Sequence, residues 1–285
     1  MTIILDQEQV AADIRVVREH VMRFLRAATA EDWERRTEGN EGWTLAETVC
    51  HLEGAAFGLR LFAKQGLRGE REGRLPGFTD RRELGVWNEK VIEKRIGAPI
   101  EEVVAGLEQI LLKVEQEVLQ VPVDKCNHWV DLPIYGTGLT VLELFAAQAV
   151  HAGLVHAAQL ANGRGKPFLW RAYPMDVQMR LLGYLFILLG AVYWPERGPA
   201  GRTVVGFRVR RPWRRDWHLV LTESGGEAFE GEGEADVQIV AWDVDSLAQL
   251  FTLQMGVGRA VLTGRAWAWG DVGLAFNLTE MFRPA

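Results

Sequence analysis

The sequence has little of several features that mark large protein classes. It contains two cysteines among 285 residues, Cys50 and Cys126, which is too few for a disulfide scaffold and favours a reducing compartment. Its longest apolar run, residues 181–194, is short of the ~20 residues that a membrane-spanning helix needs. The first residues lack the basic and apolar regions of a secretory signal. We therefore expect a cytoplasmic protein without a membrane span.

An excess of positive charge is also missing. The formal net charge is −6, whereas a nucleic-acid-binding domain is usually basic. One stretch is densely basic and surrounds Pro212 and Trp213: Arg208, Arg210, Arg211, Arg214 and Arg215. We interpret this stretch as a solvated hairpin tip, with an anion-binding patch as the alternative. No nucleic-acid partner is expected. The content of 48% hydrophobic and 25% charged residues is typical of globular proteins and excludes wholesale disorder.

The first part of the chain has helical periodicity. Apolar residues recur every three or four positions in four segments, which begin near residues 10, 45, 100 and 141. Thr44 with Glu47, and Thr140 with Glu143, have the spacing of capping boxes at two of the helix starts. The sequence therefore predicts an N-terminal all-α, up-down four-helix bundle over residues 1–163, with long connections at 64–86 and 121–138.

Beyond the Gly- and Pro-containing stretch at 162–167, the apolar period changes from 3.6 to 2. Alternating segments near 207–210, 217–221 and 237–241 predict strands with one buried face. Residues 246–255 and 274–282 are expected to be helical, and residues 260–269 to form a last hairpin or strand pair. The prediction is a C-terminal α+β domain over residues 170–285 with a mostly antiparallel sheet.

Three of the six histidines lie on predicted bundle helices. His51 shares one strip of the second helix with Trp43 and Glu47, and His151 and His156 lie on the fourth helix. Divalent metals in bundle cores are held by imidazoles and carboxylates that project inward from facing helices. A metal site is therefore one interpretation. Hydrogen-bonded structural histidines are the other.

Residues 43–52, WTLAETVCHL, resemble the W-[ST]-x-x-[DE]-x-x-x-H-L signature of the DinB-like metal-binding bundle. This superfamily includes the N-terminal domain of mycothiol-dependent maleylpyruvate isomerases. Trp87-Asn88 and residues 156–159, HAAQ, are similar to further family positions. The second half resembles the domain similar to sterol carrier protein 2 (SCP2-like) that such isomerases carry, through Leu250-Phe251, residues 256–259 and residues 264–271.

The resemblance implies a metal held by one histidine from helix two and a His-x-x-x-His or Glu-x-x-x-His pair from helix four. This sequence departs from that pattern, because His151 and His156 are five residues apart and would point about 140° apart on an ideal helix. A π-bulge at Gly153 would bring them together. Without it, His51 and His156 would form an incomplete site with water, Gln148 or Glu47.

The resemblance also implies chemistry. The metal, zinc or nickel by affinity order, would keep an open position for a low-molecular-weight thiol. Trp43, Glu47 and Asn88 would bind the substrate, and Arg259 and Arg265 are the candidate catalytic arginines of the second domain. The first hypothesis is thus a metal- and thiol-dependent isomerase or transferase acting on a small molecule.

The second hypothesis is a non-enzymatic binding protein. The SCP2-like domain would hold an apolar or lipid-like ligand in a pocket, and the bundle, with a degenerate metal site, would serve as a support or a homodimerisation module. The residues expected to line that pocket are Leu181, Phe186, Leu189, Trp194 and Phe251. The broken His151/His156 spacing favours this hypothesis, whereas the intact strip around His51 favours the first.

Overall fold

The computed structural model describes residues 2–37, 42–78 and 80–282 of the chain. The protein divides into two units: Leu5–Val177 forms one, and Met1–Ile4 with Gln178–Ala285 forms the other. In the second unit, Thr2 pairs with Phe229 in an antiparallel bridge. The limits 1–163 and 170–285 come from the sequence and are meant as two pieces that fold independently. They stay a prediction, which limited proteolysis can test.

The N-terminal unit is built from helices. These are α1 (Gln7–Arg26), α2 (Ala30–Glu34), α3 (Leu45–Leu67), α4 (Leu84–Glu93), α5 (Ile100–Val118), α6 (Val141–Val150) and α7 (His156–Gly163). A π-helical turn, His151–Val155, joins α6 to α7 so that the two form one continuous helical segment. α1 and α3 each pack against both α5 and α6, which confirms the predicted four-helix bundle.

The helix starts follow the sequence signals. The side chain of Asp6 accepts a hydrogen bond from the backbone N–H of Gln9 and caps α1. Reciprocal capping boxes form at Thr44/Glu47 and Thr140/Glu143, as predicted. Each box satisfies backbone donors that a helix start leaves unpaired, so α3 and α6 begin at fixed residues.

The two long connections contain structure that the periodicity did not predict. The first holds the start of α4, which buries only Trp87 and Ile92. The second holds an antiparallel hairpin of β1 (Trp129–Leu132) and β2 (Thr137–Thr140), in which Val130 and Leu132 are buried. Short elements with so few buried side chains leave too short an apolar pattern to recognise.

The C-terminal unit combines helices with one five-stranded sheet. After α8 (Met175–Ala191), its elements are β3 (Thr203–Arg211), β4 (Arg215–Thr222), β5 (Gly225–Glu230), β6 (Val237–Asp243), α9 (Val244–Phe251), α10 (Val257–Leu262), β7 (Ala266–Gly270) and α11 (Val272–Asn277). The strand order is β5-β4-β3-β6-β7, and only the β3–β6 pair is parallel. The predicted α+β class with a mostly antiparallel sheet is confirmed.

The prediction of a hairpin or strand pair at 260–269 is wrong. The first residues of that stretch end α10, and only β7 is a strand. An apolar run of this length does not distinguish a short helix from a strand. The closing helix is shorter than expected, because α11 changes into a 3₁₀ turn at Leu278–Phe282.

Aromatic side chains form the centre of the C-terminal core. The ring of Phe186 on α8 lies 4.8 Å from that of Phe207, 5.2 Å from Trp217 and 5.3 Å from Phe251. Phe207 and Trp217 are direct cross-strand neighbours, so their side chains lie on the same face of the sheet. Phe186 of α8 and Phe251 of α9 both contact Phe207, and the two helices therefore cover that face.

The segment Val141–Gly163 is apolar and long enough to cross a membrane by those two criteria alone. Of the apolar 18-residue window within this segment, 83% is buried inside the protein. It therefore behaves as the core helix of the bundle, since a spanning helix would expose its apolar surface.

Candidate metal centre

Three histidines meet inside the bundle. His51 lies on α3, two turns after the capping box at Thr44, and it is 5% exposed. His151 begins the π-helical turn and is half-buried, while His156 begins α7 and is 3% exposed. The capping box and the packing of α3 on α6 thus bring side chains a hundred residues apart to one place.

The π-helical turn solves the spacing problem of the sequence. Across this turn the backbone N–H of His156 bonds to the carbonyl of His151, which is five residues back instead of four. The extra residue brings the two imidazoles together, with ring centroids 4.3 Å apart. Of the two alternatives that the sequence left open, the π-bulge around Gly153 is therefore the one present.

Gly153 lies in this turn, in close contact with Val17 of α1. A Cβ atom at this position would come within 2.6 Å of Cγ2 of Val17. Any larger residue would collide with Val17, so glycine is what allows the widened turn to sit against α1.

The Nε2 atoms of the three imidazoles converge. Nε2 of His151 lies 3.4 Å from Nε2 of His51 and 3.0 Å from Nε2 of His156. Two nitrogen ligands about 2.0–2.1 Å from a tetrahedral or octahedral ion lie roughly 2.9–3.4 Å apart. Among the described residues, these three side chains are the group close enough to share one cation. Their spacing therefore fits a single divalent ion.

Burial keeps these imidazoles neutral. It lowers the pKa of His156 to about 4, although a hydrogen bond to Gln159 acts in the opposite direction. Burial also holds the pKa values of His51 and His151 well below the usual 6.5, and the neighbouring histidines add to the effect. Neutral imidazole is the form that ligates a metal.

The Nδ1 atoms of His156 and His51 lie in different environments. Nδ1 of His156 donates a hydrogen bond to Oε1 of the buried Gln159. Nδ1 of His51 is buried and has no hydrogen-bond partner among the residues that the structure describes. No role was predicted for Gln159 from the sequence. The His-x-x-Gln spacing could have indicated one, because residues three apart lie on the same face of a helix.

Trp43 and Glu47 lie beside His51, as the shared strip indicates. The ring of Trp43 is 4.9 Å from that of His51. Oε2 of Glu47 accepts hydrogen bonds from the backbone N–H and the hydroxyl of Thr44, so this carboxylate serves the helix cap. Asn88 lies on α4 and is half-buried. Substrate binding by these three residues stays a prediction.

Gln148 was the other residue considered as a completing ligand. It is 2% exposed, and its amide donates a hydrogen bond to the carbonyl of Ala56. This bond joins α6 to α3, so Gln148 helps to hold the helices that carry the histidines.

The two arginines predicted to be catalytic lie in the C-terminal unit. Arg265 donates to a carboxylate oxygen of Asp245 at 2.8 Å. Arg259 lies on α10 with an exposed side chain. The catalytic assignment of both arginines stays a prediction.

The basic stretch at 208–215 is largely neutralised. Asp216 pairs with Arg208 and Arg214, and Arg215 pairs with Glu230. Arg211 lies over the ring of Trp242. These contacts are those of a hairpin between β3 and β4, as the sequence indicates.

The C-terminal unit also contains a narrow apolar cavity of about 30 Å³, which is room for roughly one water molecule. Its lining consists of Phe207, Ile239, Leu250, Phe251, Val257, Val261, Ala266, Trp267, Ala268, Ala275 and Leu278. Of the five residues predicted to line a pocket, only Phe251 lines this one. A pocket lined by Leu181, Phe186, Leu189 and Trp194 stays a prediction, and Leu181 and Phe186 are fully buried in the core.

Comparison with known proteins identifies the bundle. A family model described as the mycothiol maleylpyruvate isomerase N-terminal domain matches residues 14–161, slightly more than half of the chain. The chain belongs to this family. The matched region runs from α1 into α7. In this member of the mycothiol maleylpyruvate isomerase family it includes the three clustered histidines, His51, His151 and His156. No curated protein matches the chain.

Solved structures extend the likeness of this family member to its second unit. A crystal structure of the mycothiol-dependent maleylpyruvate isomerase is similar over 87% of this chain and 89% of that chain, with a TM-score of 0.58 and 15% identity. At this identity the likeness shows the fold. Sterol Carrier Protein 2 Like 2 from Aedes aegypti is similar over 38% of this chain and 98% of its own, with a TM-score of 0.32 and 16% identity. The family resemblance predicted for the bundle is confirmed by the family model.

Proposed function

We propose that the bundle binds one divalent cation, zinc or nickel, through Nε2 of His51, His151 and His156. We further propose that the protein is a thiol-dependent isomerase or transferase acting on a small molecule. The convergence of the three Nε2 atoms carries the first part. Membership of the mycothiol maleylpyruvate isomerase family supports the second.

The ligand set determines the chemistry. A bound divalent cation supplies a Lewis acid that lowers the pKa of a thiol or water at its open position. Three neutral imidazoles leave both positive charges of the ion uncompensated, and Glu47 is held in its helix cap. The site therefore favours an anionic group such as a thiolate.

The surrounding side chains would position the substrate. Trp43 packs beside His51 and would shield that side of the site from water. In the C-terminal unit taken by itself, Arg265 is already paired with Asp245, whereas the exposed side chain of Arg259 would be available to a carboxylate. A cytoplasmic location is part of the proposal, since small thiols stay reduced there.

The test is an isomerase assay with maleylpyruvate and mycothiol, which are the compounds that the family description names. We expect turnover only when the zinc-loaded protein and the thiol are both present, and none with His51→Ala. Turnover without metal would contradict the proposed site. Zinc-loaded protein that is inactive with both compounds would limit the proposal to metal binding.

The apolar cavity favours a second candidate function, the binding of an apolar ligand by the C-terminal unit. With room for about one water molecule, a longer ligand must displace side chains. Binding of a fluorescent fatty acid that Val257→Asp abolishes would support this function. A wild-type protein that does not bind the probe would exclude it for this class of ligand.

A further inference from the structure

Gln159 lies one turn beyond His156 on α7 and is 5% exposed. Its Oε1 atom accepts a hydrogen bond from Nδ1 of His156. A neutral imidazole carries a single N–H, so a proton held on Nδ1 leaves the lone pair on Nε2. That lone pair points into the cluster, where Nε2 of His151 lies 3.0 Å away.

His51 provides an internal comparison. Its ring is also buried, but its Nδ1 atom has no hydrogen-bond partner in the described part of the chain. The polar contact of His51 is instead made through Nε2, which lies 3.4 Å from Nε2 of His151. The hydrogen bond to Gln159 therefore fixes the tautomer and the ring orientation of His156 through Nδ1, a contact that His51 lacks within the described residues.

We infer that Gln159 is the positioning residue of the metal centre, holding His156 in the tautomer and orientation in which Nε2 ligates the cation. This inference rests on the proposed function. Partners of this kind orient ligating histidines, and their loss typically lowers metal affinity by about 10- to 100-fold. An amide acceptor also leaves the charge of the site unchanged, in contrast to a carboxylate.

Three variants of the full chain isolate this role. Gln159→Leu removes the acceptor, and Gln159→Glu keeps an oxygen acceptor at the same place. Gln148→Leu is the matched control, because Gln148 is an equally buried glutamine on the same helical segment that bonds to a backbone carbonyl instead of a histidine. Circular dichroism establishes that each variant is folded.

The first readout is the imidazole ¹⁵N spectrum of the metal-free protein, which distinguishes a protonated from an unprotonated ring nitrogen. We expect His156 to carry its proton on Nδ1 in the wild type, in Gln159→Glu and in Gln148→Leu, and to become a mixture of tautomers in Gln159→Leu. The second readout is zinc affinity, measured by competition with a chelator. We expect Gln159→Leu to bind zinc about 10- to 100-fold more weakly, and Gln159→Glu to bind it at least as tightly as the wild type.

The two readouts separate the failure of the inference from the failure of the proposed function. A folded Gln159→Leu protein with an unchanged His156 tautomer and unchanged zinc affinity would overturn the positioning role even though the wild type binds zinc. A mixture of His156 tautomers in Gln148→Leu as well would also overturn it, because the effect would then be one of general packing. A wild type that binds no zinc while Gln159→Leu still alters the tautomer would instead refute the proposed metal centre.

Discussion

At the scale of single residues, burial prepares the three histidines as ligands. The pKa of His156 falls to about 4, and those of His51 and His151 fall well below 6.5, because the interior disfavours the charged imidazolium. At neutral pH no proton has to leave before a cation binds. The nearby Cys50 is unsuited to a similar role, since burial raises the pKa of its thiol to about 11.

These shifts predict how the stability of the metal-free protein depends on pH. The unfolded histidines titrate near 6.5 and the folded ones lower, so the unfolded state binds more protons between these values. The free energy of unfolding should therefore be highest above pH 6.5 and should fall as the pH drops towards 4. His156 alone accounts for a loss of about 3 kcal/mol over this range. Urea unfolding with a chelator present, at pH 7 and pH 5, measures the change.

The control is His156→Gln, which replaces the ring by a neutral side chain that does not titrate. Its unfolding free energy should depend less steeply on pH than that of the wild type. Equal slopes for the two proteins would show that His156 does not have a lowered pKa in the folded state.

At the scale of secondary structure, the π-helical turn decides whether the site exists. On a regular helix the five-residue spacing would direct His151 and His156 to different sides. The sequence revealed this conflict, and Gly153 indicated where a bulge would resolve it. It did not reveal whether the bulge forms, because that depends on the packing of Gly153 against Val17 of a different helix.

A π-turn is a helical turn with one inserted residue. A helix that contains such a turn should therefore tolerate the deletion of one residue there. Deletion of Ala152 should restore a regular helix, leave His151 and His156 four residues apart on one face, and preserve zinc binding. Isothermal titration of the deletion variant with zinc measures this. A folded variant that no longer binds zinc would mean that the site needs the widened turn itself.

Deletion of Ala146 from the regular part of α6 is the matched comparison. It turns the residues before it by about 100° relative to the histidines. Because these residues are buried, we expect this variant to lose both thermal stability and zinc binding. If both deletions behave alike, the turn has no special role.

Other elements show why local patterns predict some structures and miss others. The capping boxes at Thr44 and Thr140 predicted helix starts correctly, because a cap is a local set of hydrogen bonds. The stretch 260–269 was misread, because its apolar residues suit a strand as well as α10. Gln159 was overlooked as a partner of His156, since a glutamine on a buried helix face has no fixed role until the neighbouring ring is placed.

At the scale of the whole molecule, the chain has two units, and the segment between the bundle and α8 should be the site of first cleavage. Residues 165–167 are three consecutive exposed residues, whereas Leu169 and Trp170 are buried. Limited digestion with a protease of broad specificity should therefore cut first near Gly163–Lys166. A first cut within residues 100–120 would count against two independently folding pieces, because it would lie inside α5.

The metal content of the purified protein tests the central claim, that His51, His151 and His156 together hold one divalent ion. Plasma mass spectrometry of the wild type and of the three single His→Ala variants, each purified and then supplied with zinc, is the most direct measurement. We predict one bound ion per wild-type chain and a marked loss in every variant, with higher thermal stability for the loaded wild type. A wild type without bound metal after excess zinc would contradict the claim, and so would a His151→Ala variant that keeps its full metal content.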